Sequence, residues 1–195
     1  MSSSTSSVSD RVVAHVSATI GSDPQRASVT FVGVQALDVL RFVDGDDAVF
    51  ASVGCARHPM HDPSDLAPDP VRGPRAEVTM RLRASVPLQG LHRSLAMLAA
   101  APAVEGLVLG PDSLVDLQEP LWAGATCSAF LLEPDTDVEP LPLDAPADPV
   151  TFLRALPITA NEAAWVRLKG AEALREAWAE AGTDVTDPLR APVSL

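Results

Sequence analysis

Arg75-Ala76-Glu77-Val78-Thr79-Met80-Arg81-Leu82-Arg83-Ala84 is the stretch whose reading decides the fold. Val78, Met80, Leu82 and Ala84 alternate with Glu77, Thr79, Arg81 and Arg83. That is the period of two of a β-strand, with one face buried and the other wet or paired with something. Just before it, His58 to Pro74 holds five prolines and three aspartates with little periodicity, which predicts a long loop. Further upstream, strand signals run over Ala27–Val32, Leu37–Val43 and Ala48–Val53. Asp44-Gly45-Asp46-Asp47 reads as the hairpin turn joining the last two. The chain opens with a helix over Ser9–Ile20, with Ser9 or Asp10 as its cap, a stripe of Val12, Val13, Val16 and Ile20, and Gly21 at its end.

Downstream, Leu91, Leu95 and Leu98 mark one side of a helix over Leu88–Ala101, expected to stop at Pro102. Ala125–Leu132 is a largely apolar run without charge, as in a strand covered on both faces. Glu133–Pro149 is acidic and Pro-rich and reads as a second loop, followed by a strand over Val150–Leu156. Thr159-Ala160-Asn161-Glu162 is a capping box. The helix it opens carries Trp165 and Leu168, is interrupted at Gly170, resumes over Ala171–Ala181 with Leu174 and Trp178, and closes at Gly182. Strands cluster first and long helices come last, which argues for an α+β single domain. Residues 1–8 and 191–195 read as tails, and 9–190 as the domain.

The chain has 195 residues, 47% of them apolar, enough for one packed core. It contains no run of about 18 apolar residues, so no membrane span is expected. Met1–Ser7 lacks the basic and apolar regions of a secretory signal. Two cysteines, Cys55 and Cys127, are too few for a disulfide framework and read as reduced, buried side chains. Together these point to the cytoplasm. The net charge of −12 disfavours nucleic acid and anionic lipid, and leaves a basic protein as the fitting partner. Thirteen of the fourteen basic residues are Arg, the bias of a GC-rich bacterial genome.

Chemistry-bearing motifs are sparse. His58, His61 and Asp62, in the first loop, are the one set of residue types that could ligate a divalent metal, though their spacing is not that of a helical zinc motif. Cys55 and His58 could form a nucleophile–base pair, but there is no Gly-x-Ser-x-Gly elbow, and no Gly-rich phosphate loop. His15 and His92 read as boundary residues, and Trp165 and Trp178 as core anchors. Trp122, between turns, is the candidate exposed anchor for a partner.

The order of landmarks resembles the suppressor-of-fused domain family from about Arg11 to Arg190. Val53-Gly54-Cys55 ends a strand where the family has Gly before a small polar residue. Gly73-Pro74-Arg75-Ala76-Glu77-Val78 resembles its strand opening. A Leu-rich helix, Gly110-Pro111-Asp112 and Phe130-Leu131-Leu132 follow in order. Pro157-Ile158-Thr159 with Glu162 and Gly170, and then Asp187-Pro188-Leu189-Arg190, resemble its C-terminal part. Cys55 in place of Ser, and the absence of Tyr, depart from the pattern. The resemblance implies a central mixed, largely antiparallel sheet flanked by helices, with no catalytic residue, metal or cofactor. It implies a protein-binding role, and for bacterial single-domain members an immunity protein that sequesters a secreted toxin.

The leading expectation is therefore a non-enzymatic binding module. Asp135, Asp137 and Glu139 would steer a basic partner, Arg81 and Arg83 would contribute from the polar face of the strand, and Trp122 would anchor it. The alternative is a small metal-dependent hydrolase built on His58, His61 and Asp62.

Overall fold

The computed structural model describes residues 6–195. Helix α1, Val8–Ile20, is capped by Ser7, whose side chain accepts from the Asp10 amide while the Asp10 carboxylate returns to the Ser7 amide. The cap therefore lies two residues before Ser9, because Asp10 serves as the third residue of the box. Val8, placed in the expected N-terminal tail over 1–8, belongs to the helix, and 1–5 lie outside the described residues.

Strands β1 (Gln25–Phe31), β2 (Val34–Asp44), β3 (Asp47–Val53) and β4 (Arg75–Arg83) form an antiparallel meander. Gly45 and Asp46 make the tight turn at Asp44–Asp47. Helix α2, Leu91–Glu105, then precedes β5 (Leu114–Asp116), β6 (Cys127–Pro134) and β7 (Val150–Thr159). The seven strands form one sheet in the order β1-β2-β3-β4-β7-β6-β5, antiparallel except where β7 lies parallel to β4. Helices α3 (Ala160–Lys169) and α4 (Ala171–Ala181) follow β7 directly, separated by Gly170.

Strand alternation sorts the core into two faces. Leu91, Leu95 and Leu98 of α2 pack with Phe50, Val78, Met80, Phe130 and Leu132 on one face. On the other, Val12 and Val16 of α1 cover Val49, Ala51, Val150 and Phe152, while Leu174 and Trp178 of α4 cover Ala129, Leu131, Leu156 and Ile158. Helix α2 does not stop at Pro102 but runs to Glu105. Proline loses its own donor and its ring crowds the carbonyl four residues back, yet the amides beyond it still find carbonyls, with Gly106 N donating to Pro102 O at 3.1 Å.

The polar side of β4 is not uniformly wet. Glu77 and Thr79 are buried, Arg81 is half-buried and Arg83 is exposed. Glu77 accepts from the Ser52 hydroxyl and from the amides of Gly54 (2.7 Å) and Ala56 (3.0 Å). It thereby fastens the short 3₁₀ turn Cys55–Arg57. Burial pushes its carboxyl up, against those hydrogen bonds. Gly54 sits at φ 123°, and a Cβ there would lie 2.8 Å from Leu37 Cδ2 and from Arg57 Cζ. Gly54→Ala should therefore cost about 2 kcal/mol from backbone strain and crowding. Chemical denaturation reads this directly, and a midpoint equal to wild type would show that the turn adapts.

Arg75 is buried at the base of the first loop. Its guanidinium donates to the carbonyls of Ala56 (2.8 Å), Arg57 (2.9 Å) and Val71 (3.0 Å), so the Pro-rich loop is tied to the turn. The C-terminal segment is likewise packed. Arg190 is 8% exposed and donates to both carboxylate oxygens of Glu162, at 2.8 and 2.7 Å, and Val193 N reaches Glu162 at 3.4 Å. Val193 falls within 191–195, so that stretch is anchored at its middle.

Candidate functional site

Arg154 is the lone charge in an otherwise apolar segment of β7, and its position explains the site. On the face shared by α1 and α4, it stands between Phe152, covered by α1, and Leu156, covered by α4. Thr79 of β4 lies opposite Arg154 in register, with Arg81 two residues on. Neither helix closes this stretch of sheet. A cleft of about 220 Å³ results, walled by Val16, Thr19 and Ile20 of α1 and by Asp135, Asp137 and Val138 of the loop after β6.

Charges line the cleft in two clamps. Arg154 Nη2 donates to Asp135 Oδ1 at 2.9 Å and Asp137 Oδ2 at 2.7 Å. The Thr79 hydroxyl donates to Asp135, and the Asp137 amide donates to Asp135 Oδ1 at 2.9 Å. Arg81 Nη1 donates to Asp44 Oδ2 at 2.8 Å and Asp47 Oδ2 at 3.1 Å. Burial alone would lower the Arg81 guanidinium, but its bonds to Asp44 and Asp47 reverse this and hold it above its ordinary value. Four carboxylates face two guanidiniums, so the clamps carry an excess of negative charge. Such a site is suited to receiving a cationic side chain from a partner.

The structure therefore gathers Arg81, Asp135 and Asp137 into one site. Asp135 is almost wholly buried by its partners, its side chain 4% exposed, so it builds the cleft rather than greeting a partner. Asp137 is exposed on the rim. Glu139 is exposed just beyond, where its carbonyl meets His15 Nε2 at 2.7 Å. Arg83 is elsewhere, paired with Asp184 where β4 meets the C-terminal segment. Arg154, Asp44 and Asp47 escaped the sequence reading. The signal was there in Arg154, a charge inside a strand too apolar to be wet.

Trp122 corrects an expectation. It is 4% exposed and belongs to the core under α2, so no surface anchor is available there. The loop around it is strapped inward, with Ser94 Oγ donating to Leu121 O at 2.8 Å and Ala123 N to Gln89 O at 2.9 Å. Trp165 is only half-buried, with Lys169 Nζ 6.0 Å from its ring centre, whereas Trp178 is buried.

Among the described residues no group of three or more His, Cys, Asp or Glu side chains is placed to hold a metal. His58 is exposed, His61 is half-buried, and the Asp62 carboxylate is turned onto the amide and hydroxyl of Ser64. Both cysteines are free. Burial pushes the Cys127 thiol up to about 11 and, with Glu77 nearby, raises that of Cys55. Neither is primed as a thiolate nucleophile.

This architecture, a mixed sheet with one helix on one face and three on the other, defines a class of α+β domain found in solved structures. A homologue of suppressor of fused from Neisseria gonorrhoeae matches at a TM-score of 0.67 and 18% identity, covering 96% of this chain and 97% of that one. The Sufu–Fu complex matches at 0.65 and 13% identity, over 93% and 90% of the two chains. Drosophila Suppressor of Fused matches at 0.65 and 14%, over 93% of this chain and 50% of that one. No curated protein matches the sequence. The family model described as suppressor of fused protein (SUFU) matches residues 33–191, and the chain belongs to that family.

Proposed function

We propose that this chain is a non-enzymatic binding domain that holds a basic protein in the bacterial cytoplasm, and that this partner is a secreted toxin domain which it neutralises as an immunity protein. The excess of carboxylates around the Arg81–Arg154 cleft carries the reading. It continues outward through Asp137 and Glu139 on the rim. A family fold shared with a Sufu molecule solved together with Fu supports binding as the mode of action.

Rim charges act mainly on association, while buried contacts set dissociation. Asp137→Asn with Glu139→Gln should slow association about two- to tenfold at low salt and flatten its dependence on ionic strength. Asp135 is left intact because it holds the cleft together. The measurement is binding kinetics at two salt concentrations, against a basic toxin domain. An on-rate insensitive to salt and to both substitutions would reduce the acidic surface to a solubility device. The immunity role has its own readout: cells making the toxin domain should grow only when this chain is present.

A further inference from the structure

A second cavity, of about 360 Å³, opens on the opposite face of the sheet, beside α2. That volume lies within the range of small-molecule sites, about 300–1,000 Å³. Val39, Phe50 and Leu88 form an apolar floor, and Arg41 and His92 stand over it. The register places Gln25 opposite Arg41, and Arg41 opposite Phe50, on this one face.

Its charge is opposite in sign to the net charge of the molecule. The chain carries −12, yet no Asp or Glu lines this cavity. Arg41 Nη1 meets only the neutral Gln25 Oε1, at 3.3 Å, and takes part in none of the salt bridges among the described residues. Arg26, at the rim, is already matched by Asp38 at 3.3 Å. His92 is in the first turn of α2, which holds no acidic residue, so the partial positive charge of that helix end is not offset locally. An amine entering here would meet like charge. A neutral apolar body would cover Arg41 without pairing it.

We propose that this cavity binds an apolar carboxylate, with its hydrocarbon part on Val39, Phe50 and Leu88 and its carboxylate on Arg41. The site uses the face away from the acidic cleft, so it stands or falls apart from the function proposed above.

The test is a charge series of one shape: 3-phenylpropionate, 3-phenylpropanol and 3-phenylpropylamine, titrated into the full-length chain and followed by backbone amide shifts. The carboxylate should bind at about 1 mM or tighter, as its size allows. The alcohol and the amine should be at least about tenfold weaker, the usual margin of a charge-assisted hydrogen bond. Shifts should centre on residues 25–27, 39–41 and 84–92. Arg41→Gln should weaken the carboxylate about tenfold with the melting temperature unchanged. Ala84→Trp, an exposed change at the mouth, should block entry. Equal binding of all three compounds, no binding up to about 10 mM, shifts centred elsewhere, or an unaltered affinity in Arg41→Gln would each overturn the assignment. A pentapeptide ending in Phe, with free or amidated C-terminus, separates the sources. Tighter binding of the free-acid peptide than of phenylpropionate assigns the site to a protein chain end, and weaker binding assigns it to a free metabolite.

Discussion

Glu162→Ala should lower the free energy of unfolding by about 3–5 kcal/mol, the usual consequence of stripping one partner from a buried ion pair. Read from the sequence alone, this residue is half a capping box, a feature of about 0.5–2 kcal/mol. The structure gives it four further duties. It accepts from both terminal nitrogens of Arg190, from Trp178 Nε1 at 3.0 Å and from Val193 N, besides the Thr159 amide at 2.8 Å. Truncation leaves the Arg190 guanidinium buried against the Trp178 ring with no counter-charge. Burial by itself would raise the Glu162 carboxyl, but Arg190, Thr159 and Trp178 outweigh it and hold it at about 2. The folded value lies below the unfolded one, near 4.5, so the stabilisation is complete above about pH 5 and is lost as pH falls towards 2. The shift corresponds to about 3 kcal/mol. Glu77 works the other way, since burial raises its carboxyl. Urea denaturation of wild type and Glu162→Ala at pH 7 and pH 2.5 separates the two. The gap between them should shrink markedly at the lower pH. A gap under about 1 kcal/mol at pH 7 would mean that the Arg190 cluster is replaceable.

Trp122→Ala should cost about 3–5 kcal/mol of stability and leave partner dissociation unchanged. The indole lies beneath α2 with Leu91, Leu95 and Leu121, and its removal opens a large cavity that the strapped loop cannot collapse into. The check pairs thermal unfolding with off-rates measured well below the melting temperature. A faster off-rate with an unmoved melting temperature would restore Trp122 as a surface anchor.

These two residues also mark how far the sequence can be read. Thr159 and Glu162 are three apart, so their reciprocal bonds are local and legible. The return of Arg190 to Glu162 spans 28 residues and is not. Strand periodicity placed β2, β3 and β4 to within a few residues. It left open whether Glu77 and Thr79 were wet or paired, because alternation says nothing of what covers a polar face. Here a 3₁₀ turn covers Glu77 and Asp135 covers Thr79. Trp122 sits between turn residues, and turns read as surface, yet its loop folds inward. The candidate cleft was half visible. Asp135 and Asp137 stand in an acidic loop, and Arg81 in a clear strand. Their convergence depends on β4 and β7 being neighbours, which no local pattern encodes.

That adjacency also bears on the order in which the chain can assemble. Within the meander β1–β4 and the pair β6–β7 the longest connection runs from Val53 to Arg75, well short of the stretch from Arg83 to Val150 that separates β4 from β7, the strands where the two halves meet. They are joined across the sheet by a single parallel ladder, in which Thr151 Oγ1 reaches Arg75 O over 76 residues. Closing a loop of that length costs about 4 kcal/mol of chain entropy before any ladder bond forms. The two halves can therefore gain structure separately, and their docking along β4 and β7 is the step that topology makes slow. The acidic cleft is built from residues on both sides of that seam, so it exists only once the two halves have met.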